Sequence, residues 1–199
     1  MNLVEKTAAL KQIHDEILAF KESPLYKYRV ENNYVPVIGE GNHDANIMII
    51  GEAPGKNEAM TGKPFCGASG KILDQLLEKI GMDRKTVYVT NIVKDRPPEN
   101  RDPTPEEIEL YAQFLDRQID IIQPKVIATL GRFSMTYIIQ RFDPSWTESI
   151  SKAHGKEVIV EASYGPVTVV PLYHPAATIY NQHLKETFFA DGEVLKKFL

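Results

Sequence analysis

The sequence predicts an α/β fold: a three-layer α/β/α sandwich around a central, mostly parallel, four-stranded sheet. Three observations predict it. Short, predominantly apolar runs without in–out alternation fall at Ile47–Ile50, Val87–Val93, Lys125–Gly131 and Val167–Val170, the pattern of strands covered on both faces. From Ile47 onward these runs alternate with helical segments, the order of parallel βαβ units. Each run then leaves into a turn that carries glycine, proline or a polar side chain, and open α/β sheets bind their ligands outside the carboxyl ends of the strands.

Taken in order, Leu3–Phe20 places Leu3, Ala8, Leu10, Ile13, Ile17 and Leu18 between charged residues, an amphipathic helix that stops before Pro24. Ser23–Asn46 is turn-rich, with Pro24, Pro36, Gly39 and Gly41, and is expected to be irregular. The central strand Ile47–Ile50 runs into Gly51-Glu52-Ala53-Pro54-Gly55. Glycine opens backbone angles closed to other residues, and proline fixes φ, so a rigid loop is expected there. A second turn, Gly62-Lys63-Pro64-Phe65-Cys66-Gly67, and the cluster Gly67-Ala68-Ser69-Gly70 lead into a helix from Lys71 to Ile80, with Gly81 at its C-terminus. The next strand, Val87–Val93, carries one polar residue near its end, Asn91.

Lys94–Pro105 holds four prolines between positions 97 and 105, which excludes regular structure and stiffens the path. Thr104 fits an N-cap with Pro105 at the first helical position, opening a helix to about Ile122. The strand in Lys125–Gly131 feeds a helix over Arg132–Gln140. Asp143–Gly165, with the only tryptophan, Trp146, has no legible pattern until Val158-Ile159-Val160, a strand joined through Tyr164-Gly165 to Val167–Val170. A final helix is expected from about Leu184 to the C-terminus.

Composition narrows the class. The 199 residues are 43% hydrophobic and 25% charged, enough for one well-filled core, and a single domain over 1–199 is expected. With 23 Lys+Arg against 27 Asp+Glu the formal net charge is −4, so a nucleic-acid partner must meet a local basic patch, not a basic surface. The single cysteine, Cys66, excludes an internal disulfide and any cysteine-only metal cluster within one chain. There is no apolar run of ~18 residues and no signal-peptide pattern, so a cytosolic protein free of the membrane is expected.

Three polar residues stand at strand ends: Glu52, Asn91 and His174. If the strands are neighbours, these groups converge on one rim, with Phe65 as a stacking plate. Asn91 offers a donor and an acceptor side by side, the complement of an amide or imide edge. His174 is followed by Pro175, which holds it out of helical geometry, whereas His14, His43, His154 and His183 read as surface or structural. Lys94, Arg96 and Arg101 give the proline-rich stretch the local positive charge on which a phosphate backbone would lean. An ordinary nucleotide-binding α/β domain is disfavoured, because neither Gly-x-Gly-x-x-Gly nor a Lys-Ser/Thr phosphate loop is present.

Four segments together resemble the uracil-DNA glycosylase superfamily, and its bacterial and archaeal family 4 most closely. They are Gly51-Glu52-Ala53-Pro54-Gly55, Gly62-Lys63-Pro64-Phe65-Cys66-Gly67, Asn91-Ile92-Val93-Lys94-Asp95-Arg96-Pro97-Pro98-Glu99-Asn100-Arg101 and His174-Pro175-Ala176. The similarity runs from the first helix to the last. It implies a base-flipping hydrolase for uracil in DNA. Under it Phe65 stacks on the flipped base and Asn91 reads its O4/N3–H edge. His174 and the backbone amides of Glu52-Ala53 stabilise the anion left at O2. Gly51, Ala53, Pro54, Gly55 and Glu58 complete the base pocket, and Glu52, less readily Glu58, positions the water. Relatives with a water-activating aspartate carry it where this chain has Ala53, so leaving-group stabilisation is expected to supply most of the rate. Lys94, Arg96 and Arg101 would meet phosphates. The Ala176-Ala177-Thr178-Ile179-Tyr180-Asn181 segment would contact DNA, entering the minor groove from Ala177 through Asn181.

The resemblance also implies four cysteines holding a [4Fe–4S] cluster. By position they fall at Phe20, Ser23, Asp95 and Tyr111, none of which is cysteine, and these side chains cannot replace thiolates in such a cluster. No cofactor is therefore expected; Phe20 and Tyr111 are expected to fill the space as an apolar, aromatic patch beside the proline-rich loop. A monomer is expected, and no sliding-clamp contact is legible. Two alternatives stay open: a related glycosylase for hypoxanthine or xanthine, and a non-catalytic reader of uracil-containing or single-stranded DNA.

Overall fold

A computed structural model describes all 199 residues. Its centre is a sheet of β1 (Glu40–Gly41), β2 (Ile47–Gly51), β3 (Tyr88–Asn91), β4 (Val126–Leu130), β5 (Val158–Ala162) and β6 (Gly165–Leu172), in the order β1-β3-β2-β4-β6-β5. The four inner strands β3, β2, β4 and β6 are parallel. The sheet thus has six strands where four were expected. The two extra strands are antiparallel edges: β1 on β3, and β5 folded back on β6 as a hairpin. β1 is only two exposed residues and leaves no periodic signal.

Helices α1 (Leu3–Ala19), α5 (Pro105–Ile122) and α6 (Arg132–Phe142) cover one face. Ile13, Ile17, Phe114, Ile119 and Ile138 pack there against Met48, Ile50 and Ile127. α4 (Ala68–Lys79) and α9 (Gln182–Gly192) cover the other, with Leu73, Leu76, Leu77 and Phe188 against Ile47, Ile49, Val126, Ala128 and Leu130. Alternate residues of β2 therefore enter opposite cores, which is why its sequence reads as an unbroken apolar run. Each of its buried isoleucines contributes about 1.5–3 kcal/mol by leaving water.

The helix signals act as read at α5, where Thr104 and Glu107 form a capping box with Pro105 in the first turn. Two short helices were not foreseen, α2 (Tyr26–Glu31) and α3 (Lys56–Thr61). Six residues are too few to show an amphipathic period. α7 (Ile150–Ala153) and α8 (Pro175–Thr178) are shorter still. The last helix ends at Gly192 and passes into a 3₁₀ turn, Glu193–Phe198.

The strand register fixes the rim. Gly51 lies opposite Asn91 on neighbouring parallel strands. The ladder continues past the strands through Ile92 N–H to Gly51 O and Val93 N–H to Glu52 O. Glu52 and Asn91 are thereby brought to one edge. β6 ends two residues before His174 and pairs with β4, whose other neighbour is β2.

Candidate active site

A cavity of about 330 Å³ opens at the carboxyl ends of these strands, lined by the predicted residues Glu52, Ala53, Pro54, Gly55, Glu58, Phe65, Asn91, Arg101, His174 and Ala176. Ser69, Pro97 and Asn100 also line it. Gly51 lies directly beneath: a Cβ there would stand 2.4 Å from Asn91 Oδ1 and 2.6 Å from Phe65 Cζ. Only a residue without a side chain lets the amide and the ring approach each other.

Phe65 adopts φ of 49°, the left-handed region that costs a non-glycine residue about 1–2 kcal/mol. Its backbone is held by the first turn of α4, where Gly70 fits only because a Cβ would fall 1.7 Å from the Phe65 carbonyl oxygen. The Phe65 ring faces His174 at 6.0 Å between centroids, tilted by 36°. Glu58 accepts a hydrogen bond from the Gly67 amide at 3.1 Å and ties α3 to the base of α4.

Asn91 is buried, and its Oδ1 has no hydrogen-bond partner. A buried carbonyl oxygen without a donor costs about 1–3 kcal/mol, and this one stands at the cavity floor beside Phe65.

The Ala176 amide donates to Nδ1 of His174 at 3.1 Å. Burial pushes the His174 pKa down to about 4, so the ring is neutral near pH 7. An Nδ1 that accepts a hydrogen bond carries no proton, which leaves the proton on Nε2.

Glu52 is pushed the other way, up to about 7, first by burial and then by the Asp102 carboxylate, against the opposing charge of Arg132. Arg132 donates to Asp102 at 2.6 Å. This trio was not foreseen, because its members come together only through the packing of two loops against the first residue of α6.

The basic loop departs from expectation. Lys94 is wholly buried, its Nζ donating to Thr90 Oγ1, Asn91 O and Gln118 Oε1 at 2.7–2.8 Å. A lysine so enclosed cannot meet a phosphate, and its DNA-binding role is withdrawn. Arg96 is also buried. It donates to both Tyr28 Oη and Tyr34 Oη and to Asn100 Oδ1 at 2.8–3.1 Å. Its DNA-facing role is withdrawn on the same ground. Arg101 stays at the rim, paired with Glu107 at 2.6 Å. Ala176 and Ala177 are exposed, Tyr180 is 98% exposed, and the Asn181 side chain caps α9 through the Leu184 amide.

A match to the model of the uracil DNA glycosylase superfamily spans residues 38–193. The chain belongs to that superfamily. It is 43% identical over 190 residues to the type-4 uracil-DNA glycosylase of Sulfurisphaera tokodaii, covering 95% of this chain and 84% of the relative. It is 45% identical over 183 residues to the type-4 enzyme of Archaeoglobus fulgidus, covering 92% and 89%. A type-5 uracil-DNA glycosylase of Thermus thermophilus matches at 34% identity over 122 residues, about half of each chain.

The residues at the four implied cluster positions do come together, and they do not fit an iron–sulfur group. The Tyr111 hydroxyl lies 2.6 Å from Asp95 Oδ2 and 2.9 Å from Ser23 Oγ, and Phe20 packs edge-on against the Tyr111 ring at 5.6 Å. A phenol, a hydroxyl, a carboxylate and a phenyl ring offer no thiolate. The space was expected to be an apolar, aromatic patch. Its aromatic half is there, but its centre is polar, with Arg29 paired to Asp95 at 3.1 Å. The chain has one cysteine, Cys66, and it is exposed on the Phe65 loop. No helix is long and apolar enough to cross a membrane.

Proposed function

We propose that this chain is a uracil-DNA glycosylase: it hydrolyses the N-glycosidic bond of uracil flipped out of DNA and leaves an abasic site for base excision repair. The observation that carries the reading is the unpaired Oδ1 of Asn91 on the cavity floor, beside the Phe65 ring. It is an acceptor waiting for a donor, and the N3–H of uracil is such a donor, with O4 next to it for the amide NH₂.

In this reading the flipped base stacks on Phe65, with Gly51, Ala53, Pro54, Gly55 and Glu58 enclosing it. The bond between the base nitrogen and C1′ breaks with its electron pair passing to the base, where charge collects at O2. The neutral His174 donates from Nε2 to that oxygen, joined by the Glu52-Ala53 backbone amides, and the loss of one such donor costs about 10²–10³ in rate. Water adds to C1′ and gives up a proton, which finally neutralises the departing base anion. Glu52, ionised above about pH 7, orients that water and faces the positive charge developing on the sugar. Arg101, Ala176, Ala177 and Asn181 border the path of the DNA strand. The chain works as one domain and as a monomer, without a cluster.

A lactam edge with the same donor and acceptor occurs in hypoxanthine and xanthine, which the unpaired Asn91 oxygen would serve equally. Single-stranded and U:G duplex oligonucleotides, followed by alkali to open abasic sites, test the reading, with hypoxanthine and xanthine substrates in parallel. Cleavage at uracil that His174→Ala abolishes supports it. Binding of uracil-containing DNA without cleavage replaces it with a non-catalytic reader.

A further inference from the structure

The stretch Lys94-Asp95-Arg96 is three consecutive charged residues, all buried and each tied to a different part of the protein. Lys94 reaches back to the sheet and to α5 through Gln118. Arg96 reaches to Tyr28 of α2 and to Tyr34. Asp95 is the middle knot. It accepts from Arg29 of α2 at 3.1 Å and from Tyr111 of α5 at 2.6 Å. The same guanidinium donates to the Ile17 and Leu18 carbonyls at the end of α1, and the same phenol reaches Ser23. Asp95 thus holds α2 and α5 directly, and the end of α1 and Ser23 at one remove through Arg29 and Tyr111.

The turn just beyond this knot is strained. Glu99 and Asn100 both stand at φ of 55°, two left-handed non-glycine residues in succession. Such backbone persists only where its surroundings over-determine it. Pro97, Asn100 and Arg101 of this turn line the base cavity. Asn100 is fastened to Arg96 through its side chain.

We propose that Asp95, Tyr111 and Arg29, with Ser23, form a metal-free staple that positions the 97–101 turn against the DNA strand entering the cavity. Asp95 and Tyr111 are positioning residues in this scheme: neither lines the cavity, and both act through the turn. The staple stands where the resemblance puts an iron–sulfur cluster, and joins the same segments by hydrogen bonds and one ion pair. The proposal rests on the glycosylase reading for its kinetic consequence, but not for its structural one.

The test is Tyr111→Phe, which keeps the ring against Phe20 and Phe114 and removes only the hydroxyl bonded to Asp95 and Ser23. Amide hydrogen exchange over residues 95–101 is expected to speed up by about tenfold, as the loss of one buried hydrogen bond would give. KM for uracil-containing DNA is expected to rise by about tenfold, with kcat held within about threefold. Asp95→Asn, which retains an acceptor for Tyr111 but leaves the buried Arg29 without its counter-charge, should shift exchange and KM at least as far as Tyr111→Phe. Exchange and KM that stay at wild-type values while only the melting temperature drops would make the network a mere part of the core and overturn the proposal. So would stoichiometric iron in the purified chain, lost together with tight DNA binding on chelation. If the wild type cleaves no substrate, the exchange measurement still decides the staple, and only the glycosylase reading falls.

Discussion

The ammonium group of Lys94 lies 2.7 Å from the backbone carbonyl oxygen of Asn91, the residue whose side chain stands unpaired in the cavity. Three acceptors, Thr90 Oγ1, Asn91 O and Gln118 Oε1, match the three hydrogens of the lysine, although burial pulls its pKa well below the ordinary lysine value. Thr90 and Gln118 in turn donate to the Ile38 carbonyl. Lys94 is therefore a strut behind the strand end. Lys94→Met should cost about 1–3 kcal/mol of stability, because those acceptors lose their donor without regaining water. The salt dependence of DNA binding should not change. A phosphate-contacting lysine would take about one unit from the slope of log K against log salt. Thermal denaturation and a salt titration of binding check both halves.

Asn91→Ala removes the unpaired acceptor and its neighbouring NH₂ group while the Lys94 contact, made to the backbone, survives. Activity on uracil is expected to fall by about 10²–10³, the range for a buried group aimed at the reacting part. DNA affinity and its salt slope should stay near wild type. Collapse of binding together with rate would make Asn91 a structural residue, and the assignment of the cavity floor would be wrong.

The sheet and its rim were legible because buried parallel strands leave an apolar signature and their ends a glycine or polar one. Ile47–Gly51 and Val126–Leu130 show this directly, each buried throughout. Of the two edges, β5 was legible as the strand Val158–Val160 although it is half-exposed, while β1, two residues long, was not. The site's polar groups were found at Glu52, Asn91 and His174 because each sits where a strand stops. The charge run 94–96 misled for a physical reason. Sequence shows that a lysine, aspartate and arginine are charged, but not that Gln118, Arg29, Tyr111 and two tyrosine hydroxyls from elsewhere stand ready to pair with them. Arg132 and Asp102, 30 residues apart, escaped for the same reason.

Gly51→Ala tests the close approach at the heart of the pocket. The new methyl would stand 2.4 Å from Asn91 Oδ1 and 2.6 Å from the Phe65 ring, so both must move. Overpacking of this kind costs about 1–3 kcal/mol. The chain should still fold, with a lowered melting temperature. Its kcat/KM on uracil should fall by more than tenfold, since a misplacement of about 1 Å at the reacting centre can cost 10². A variant that loses stability but keeps full activity would show that Phe65 and Asn91 need not hold this spacing.

The pH profile separates the two titratable groups of the site. Burial and Asp102 hold the Glu52 pKa at about 7, while the His174 ring, at about 4, is neutral throughout the working range. If ionised Glu52 orients the water, kcat/KM should rise with pH through a single ionisation near 7 and then level off. Glu52→Gln should be slower and lack that rise. Stability must move in the opposite sense. The folded chain keeps the Glu52 proton up to about 7, whereas the unfolded chain releases it near the ordinary glutamate value of 4.5. Between these values the folded state binds more protons, so stability falls as pH rises. Glu52→Gln removes that penalty. Its melting temperature should exceed the wild type's at about pH 8 and approach it at about pH 4. A rate profile for Glu52→Gln that keeps the wild-type rise would assign the ionisation to another group, and a variant no more stable at the higher pH would show that Glu52 is not held protonated by the fold.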